Sequence, residues 1–311
     1  MSKLLFVTTL ILFSSSLHAA EKLTVLLDWF INPDHAQLII AEELGYFIDE
    51  GLDVTLIEPA DPSLPPKMVA AGKADIAISY QPQLHVHREE NLPLVRFGTL
   101  VSTPLNSLVV LANGAVQDIA DLDGKKVGFS VGGFEDVLLK SMLETHGLNL
   151  DSVELVNVNF SLSPSLITGQ VDAVIGAFRN FELNQMDIEG YPGKAFYPEE
   201  HGVPVYDELI LVTNEDSKDR AELVQFMRAI EKATTYVINH PDEAWEIFRK
   251  SNPDVLDNEL NRRAWRDTLP RFALRPRALD EQRYEMFGQF MKAQGLIEST
   301  IPVSDYAVVI K

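Results

Sequence analysis

Four short segments gather the side chains best suited to holding a small molecule, and each stands at the end of an expected strand. The first, Asp28-Trp29-Phe30-Ile31-Asn32-Pro33-Asp34-His35, sets two aromatics beside an amide, two carboxylates and an imidazole. An indole face suits a planar ring, although Trp29 can equally plug a sheet edge, and His35 can donate to a ligand or merely cap a helix. The second, Ser79-Tyr80-Gln81, offers a phenol between two small polar groups; Tyr80 reads as well in a core as in a site. The third, Gly128-Phe129-Ser130-Val131-Gly132-Gly133-Phe134, has glycines that would let backbone N–H groups approach an acceptor or anion at a helix N-terminus. The fourth, Ala177-Phe178-Arg179-Asn180-Phe181-Glu182, joins aromatics, a guanidinium, an amide and a carboxylate. Its plain alternative is an Arg179/Glu182 surface pair at i,i+3, worth little in water.

Other chemistries lack their residues. The glycine loop has neither the Gly-Lys-Ser/Thr ending of a phosphate loop nor the G-x-G-x-x-G order of a dinucleotide site. No H-E-x-x-H motif occurs. His85-Val86-His87 is the one metal-like pair, but on a helix residues two apart do not share a face, and no metal is expected. With no cysteine in 311 residues, disulfides, thiolate nucleophiles and iron–sulfur ligation are excluded, as is a lipid-anchored cysteine. Lys plus Arg number 26 against 46 Asp plus Glu, a net charge of −20. A surface this negative repels phosphate backbones and anionic membranes, so a nucleic-acid partner is not expected.

The segments need a scaffold, and the hydrophobic pattern supplies one. Residues 1–19 read as a secretory signal peptide: Lys3, an apolar run from Leu4 to Phe13, then small residues. That run is about half the ~20 residues a membrane span needs. Cleavage is expected after Ala19, with Ala20 the alternative. Thereafter strands at 23–27, 53–58 and 75–79 alternate with helices at 36–44 and 65–71, which predicts a parallel sheet with right-handed crossovers. A second set runs through strands at 107–112, 126–130, 153–158 and 173–176, with helices at 135–146 and around 164–169. A strand at 208–213 precedes a helical region broken at Pro241, Pro253 and Pro270. Gly72-Lys73-Ala74-Asp75 before one buried strand is echoed by Gly169-Gln170-Val171-Asp172 before another. The expected fold is α/β, with two lobes and the ligand cleft between them: residues 20–105 plus 208–311 form one, 106–207 the other. The strands at 107–112 and 208–213 would be the hinge crossings, allowing closure as in periplasmic binding proteins. Ligands in such sheets sit beyond the carboxyl ends of strands, where the four segments lie.

Leu27-Asp28-Trp29 with Asn32 and His35, Ala41 to Phe47, and Glu50-Gly51-Leu52-Asp53-Val54 resemble the opening of the NMT1/THI5-like substrate-binding family. Gly72 to Asp75, Ser79-Tyr80-Gln81-Pro82, and Val171 to Gly176 with Asn180 and Glu182 continue the resemblance over about residues 22–250. The family implies a type II periplasmic-binding-protein fold, and this stretch most resembles proteins that handle the thiamine pyrimidine. An enzyme in the same superfamily makes that pyrimidine from pyridoxal phosphate and its own histidine, using a lysine, a histidine and a cysteine-rich iron motif. Here those positions hold Ser79 and Gln83, and cysteine is lacking. No Schiff base can form without an amine, so neither cofactor nor catalysis is expected.

The resemblance therefore implies a periplasmic, unanchored component of an ABC importer, working as a monomer with an inner-membrane permease. Trp29 and Tyr80 would sandwich or flank an aminopyrimidine, and Glu182 occupies the family's carboxylate position. Asn32, His35, Ser79 and Asn180 would add polar contacts. Ser130, Gly132 and Gly133 would meet the ring substituent, and Phe178 or Phe181 would wall the pocket. Two other readings stay open. An organic anion such as a sulfonate or aromatic acid could be held by Ser130, Gly132, Gly133 and Arg179. A pyrimidine-salvage enzyme would have His35 and Glu182 as its acid and base.

Overall fold

A computed structural model describes residues 20–311, so the expected signal peptide at 1–19 lies outside the described residues. Two five-stranded sheets organise the described chain. The first runs in the order β2-β1-β3-β10-β4, from β1 (Glu21–Leu26), β2 (Leu52–Ile57), β3 (Ile76–Ser79), β4 (Leu94–Val101) and β10 (Leu209–Asn214). The second runs β7-β6-β8-β5-β9, from β5 (Asn106–Leu111), β6 (Lys126–Phe129), β7 (Glu154–Asn157), β8 (Ala173–Phe178) and β9 (Gly193–Phe196).

The expected parallel sheet holds for β2-β1-β3, but β10 pairs antiparallel with both β3 and β4. Each sheet is therefore mixed: β5 likewise lies antiparallel between β8 and β9. The reason is connectivity, since the strand that enters each sheet from the other has no crossover helix to reverse its direction. The strands expected as hinge crossings lie inside the sheets, and the chain passes between sheets along 102–105 and 197–208.

The helices that complete the fold are α1 (Ala36–Glu43), α2 (Tyr46–Asp49), α3 (Pro65–Ala70), α4 (Gln81–Glu89), α5 (Glu135–Thr145), α6 (Leu162–Ile167), α7 (Glu182–Ile188), α8 (Ala221–Asn239), α9 (Pro241–Ser251), α10 (Pro253–Leu256), α11 (Glu259–Thr268) and α12 (Glu281–Ala293). Pro65, Pro241 and Pro253 open their helices, where a missing N–H costs nothing. Gly72 and Gly169, each at positive φ, follow α3 and α6 and turn the chain into β3 and β8.

The two strands β3 and β8 are buried along most of their length. Each delivers its carboxyl end to the space between the sheets, and α4 and α7 begin there. Among the described residues no helix is long and apolar enough to cross a membrane.

Candidate functional site

A cavity lies between the two sheets at those strand ends. Asp28, Trp29, Asn32, Asp34 and Tyr80 line it from the first sheet's side; Glu135, Leu162, Gly176, Phe178, Phe181 and Glu182 line it from the second. With its mouth it encloses about 410 Å³. Aromatic side chains on both walls suit a flat ring.

On the first side the loop after β1 is held by its own polar groups. Asn32 Oδ1 accepts from the Asp34 backbone N–H at 2.8 Å and its Nδ2 donates to the Phe30 carbonyl, an Asx turn that fixes the entry to α1. His35 is fully buried: Nδ1 accepts the Asn32 N–H at 3.3 Å, so the ring proton sits on Nε2 and is donated to Asp28 Oδ1 at 2.9 Å. Tyr80 Oη donates to Asp28 Oδ2, also at 2.9 Å. Asp28 thus carries two donors, and burial together with that carboxylate pushes the Tyr80 phenol well above its ordinary range. One face of Tyr80 is taken by Phe134, stacked at 4.5 Å with 11° between planes. Trp29 meets the edge of Phe160 from the other side at 4.7 Å.

On the second side two glutamates open helices and fold back on the preceding turn. Glu182, first residue of α7, accepts the Phe178 N–H at 2.6 Å; Glu135, first residue of α5, accepts the Ser130 N–H at 2.6 Å. Both are buried, and desolvation pushes each carboxyl up to about 8 despite those bonds. Asp34 joins them. Its Oδ1 accepts from Asn180 Nδ2 at 2.6 Å and Thr268 Oγ1 at 3.0 Å, while Oδ2 is buried without a partner. Burial pushes Asp34 up to about 6, and its charge is among the causes that raise Glu182. Four carboxyl groups therefore line one cavity, and neither lysine nor arginine joins them. Such a group calls for hydrogen-bond donors, ideally positively charged ones.

Of the residues singled out in the sequence, Trp29, Asn32, Tyr80, Phe178, Phe181 and Glu182 line the cavity. His35, Ser79, Ser130, Gly132, Gly133 and Asn180 do not; His35, Ser130 and Asn180 brace residues that do. Ser79 Oγ donates to Gln83, and the Ser130 hydroxyl donates to the Asn159 carbonyl. The Gly132-Gly133 turn packs away from the cavity, with Gly133 facing Val86. Asn180 ties the two sides together through Asp34 and Thr268.

Arg179 is engaged elsewhere. It grips Glu199 with two nitrogens at 2.6 and 3.0 Å, lies over the Tyr197 ring at 4.0 Å and donates to the Leu105 and Asn106 carbonyls. It braces both passages between the sheets.

Sequence reasoning missed Asp34, Glu135 and Gly176. Glycine inside a strand is itself a signal of close approach: Gly176 sits at φ +101°, and a Cβ there would lie 2.3 Å from Glu135 Oε1. For Glu135 the sequence holds no comparable signal, because acids are common at the start of any helix.

This architecture is that of a type II periplasmic binding protein. Residues 32–244 match the family model described as NMT1/THI5 like, and the chain belongs to that family. It is 55% identical over 94% of its length, and 93% of the relative's, to a Haemophilus influenzae protein provisionally named a thiamine biosynthesis protein. A formylaminopyrimidine-binding protein of Halalkalibacterium halodurans is 37% identical over 74% of this chain and 70% of that one. Among solved structures, the alkanesulfonate-binding protein of Xanthomonas axonopodis pv. citri superposes with a TM-score of 0.74 at 15% identity, covering 93% of this chain and 99% of that one. A likeness at that identity speaks for the fold alone.

Proposed function

We propose that the protein is the substrate-binding component of an ABC importer, captures a 4-amino-5-substituted-2-methylpyrimidine in the periplasm and passes it to an inner-membrane permease. The observation that carries this reading is the cavity between the sheets, lined by four acidic side chains and by aromatic ones. An aminopyrimidine is flat, so with the lobes apart it can enter between Trp29 and the Phe178–Phe181 wall. Its exocyclic amine donates to Glu182 and Asp34, and a protonated ring nitrogen makes the bond to Glu182 charge-assisted, about twice as strong as a neutral one. The relative named for formylaminopyrimidine binding supports the same ligand class.

The anion reading loses its cation, because Arg179 is committed to Glu199 and the passage carbonyls. The role is capture without conversion. His35 is locked between Asp28 and the Asn32 N–H and does not line the cavity, so the acid–base pair of His35 and Glu182 does not face the ligand. Residues 20–105 plus 208–311 and residues 106–207 act as the two rigid lobes, and motion at 102–105 and 197–208 opens the cleft. Delivery by a monomer leaves both lobes free to meet the permease.

Calorimetry with the processed protein tests the proposal. Formylaminopyrimidine should bind at one site with micromolar or tighter affinity and be recovered unchanged, while an alkanesulfonate should give no heat. Absence of heat with the pyrimidine, at intact folding, overturns it.

A further inference from the structure

The turn that precedes α5 has the makings of an anion cradle: a strand end, two glycines and the backbone N–H groups at the start of an 11-residue helix. In this chain the cradle is already filled. The Glu135 carboxylate accepts the Ser130 N–H at 2.6 Å, and the Val131 N–H supports it as well. Glu135 is 3% exposed and lines the cavity. The space it occupies is kept open by Gly176, whose missing Cβ would fall between 2.3 and 2.6 Å from the Glu135 carboxyl atoms. A phosphate ester entering the cavity would find its natural donors used and would meet Asp28, Asp34, Glu135 and Glu182 with no lysine or arginine among the lining residues.

We propose that the Glu135 carboxyl, by filling this cradle and using its donors, makes the site selective for unphosphorylated ligands. Resting on the function proposed above, this assigns the substrate class as heterocyclic amines with an uncharged ring substituent, and places phosphate monoesters of the same ring outside it. The protein would then act ahead of any phosphoryl transfer to its ligand, with a kinase-type reaction supplying the phosphate only after uptake.

The test compares the wild-type protein with Glu135→Ala and Glu135→Gln, using three probes: 4-amino-5-hydroxymethyl-2-methylpyrimidine, its phosphate ester, and inorganic phosphate. Wild type should bind the ester at least about 100-fold more weakly than the alcohol, the order expected of an uncompensated like charge in a partly dried site. Glu135→Ala, with its cradle vacated, should bind inorganic phosphate where wild type does not, and should narrow the ester-to-alcohol ratio at least tenfold. Glu135→Gln keeps the volume and offers the cradle one acceptor oxygen in place of two, so it should shift the ratio the same way by a smaller factor. It guards against loss of folding in the alanine variant, with thermal melts of both as control.

Equal binding of ester and alcohol by wild type overturns the proposal, as does a ratio unmoved by either folded variant. If neither pyrimidine binds wild type, the function proposed above fails. The role of Glu135 then stands or falls on inorganic phosphate alone: binding gained on its removal supports it, and no gain refutes it.

Discussion

Glu182→Gln should separate affinity from stability. In the ligand-free protein the Glu182 carboxyl is buried, accepts one backbone N–H at 2.6 Å, and is held up at about 8 by desolvation and by Asp34. At pH 7 the folded protein therefore retains the neutral form, which glutamine imitates in size and in its acceptor oxygen. Folding should lose almost nothing, and at pH 8 the variant should melt no lower than wild type, because it no longer carries the ionised form's desolvation penalty. The ligand complex is different. A bond between the ligand amine and a carboxylate contributes about 1.5–3 kcal/mol, against about 1 kcal/mol for a neutral hydrogen bond. At pH 8, where about half of the free protein already carries the charge, losing it should cost about 1–2 kcal/mol, or roughly 5- to 30-fold in Kd, and at pH 7 less by the roughly 1.4 kcal/mol needed to ionise the carboxyl. Calorimetry with formylaminopyrimidine, run beside thermal melts at pH 7 and 8, reads both quantities. Unchanged affinity, or a variant that melts several degrees lower while binding normally, would refute the assignment of Glu182 as the ligand's carboxylate.

Other outcomes follow from the same geometry. Glu135 and Glu182 titrate near 8, Glu208 near 7 and Asp34 near 6 in the folded chain, all pushed up by burial. Unfolded carboxyls titrate near 4, so the folded protein holds more protons between those values and loses stability as pH rises from about 5 to about 8. The slope is up to about 1.4 kcal/mol per pH unit for each proton, and Glu135→Gln combined with Glu182→Gln should flatten it in urea titrations across that range. Asn180→Ala removes bonds of 2.6 and 2.7 Å that tie the fourth segment to Asp34 and Thr268. At about 1 kcal/mol each, their loss should weaken ligand binding roughly 5- to 30-fold and enlarge the ligand-free radius of gyration in X-ray scattering; an unchanged radius and affinity would contradict the tie. Gly176→Ala adds strain at φ +101° to a clash with Glu135. The combined cost is about 2–5 kcal/mol, visible as a clear drop in the urea midpoint, whereas a variant as stable as wild type would mean that Glu135 is free to move.

Much of the scaffold was legible because its signals are local. Gly72 and Gly169 end short helices, and apolar runs such as Ile76–Ser79 and Ala173–Phe178 mark buried strands, so the β-α-β units and their loop ends could be placed. Two strands escaped. β4 carries Arg96 at its centre, which breaks an apolar reading, yet Arg96 is fully buried, donating to Thr99 Oγ1 at 2.6 Å and lying over Tyr284. Those partners come from a residue three positions on and from α12, and the second of these no local pattern reveals. β9 is a four-residue edge strand paired only with β5, too short for periodicity to register.

The site divides the same way. Trp29, Tyr80 and Glu182 stand directly after strands that the pattern locates. Asp34 and Glu135 looked like turn and helix-start acids, because what distinguishes them is what they face. Asp34 meets Asn180 and Thr268, 146 and 234 residues away, and Glu135 fills a cradle beneath Gly176. The glycine turn was expected to present its N–H groups to a ligand, but the Ser130 donor is spent on the chain's own carboxylate.

The most direct trial of the ligand-capture account is native mass spectrometry of the protein isolated from the cells that make it, with the bound molecule released and identified. The account predicts one unphosphorylated 4-amino-5-substituted-2-methylpyrimidine per chain, lost on Glu182→Ala. A sulfonate, a carboxylic acid or another organic anion in its place would contradict it.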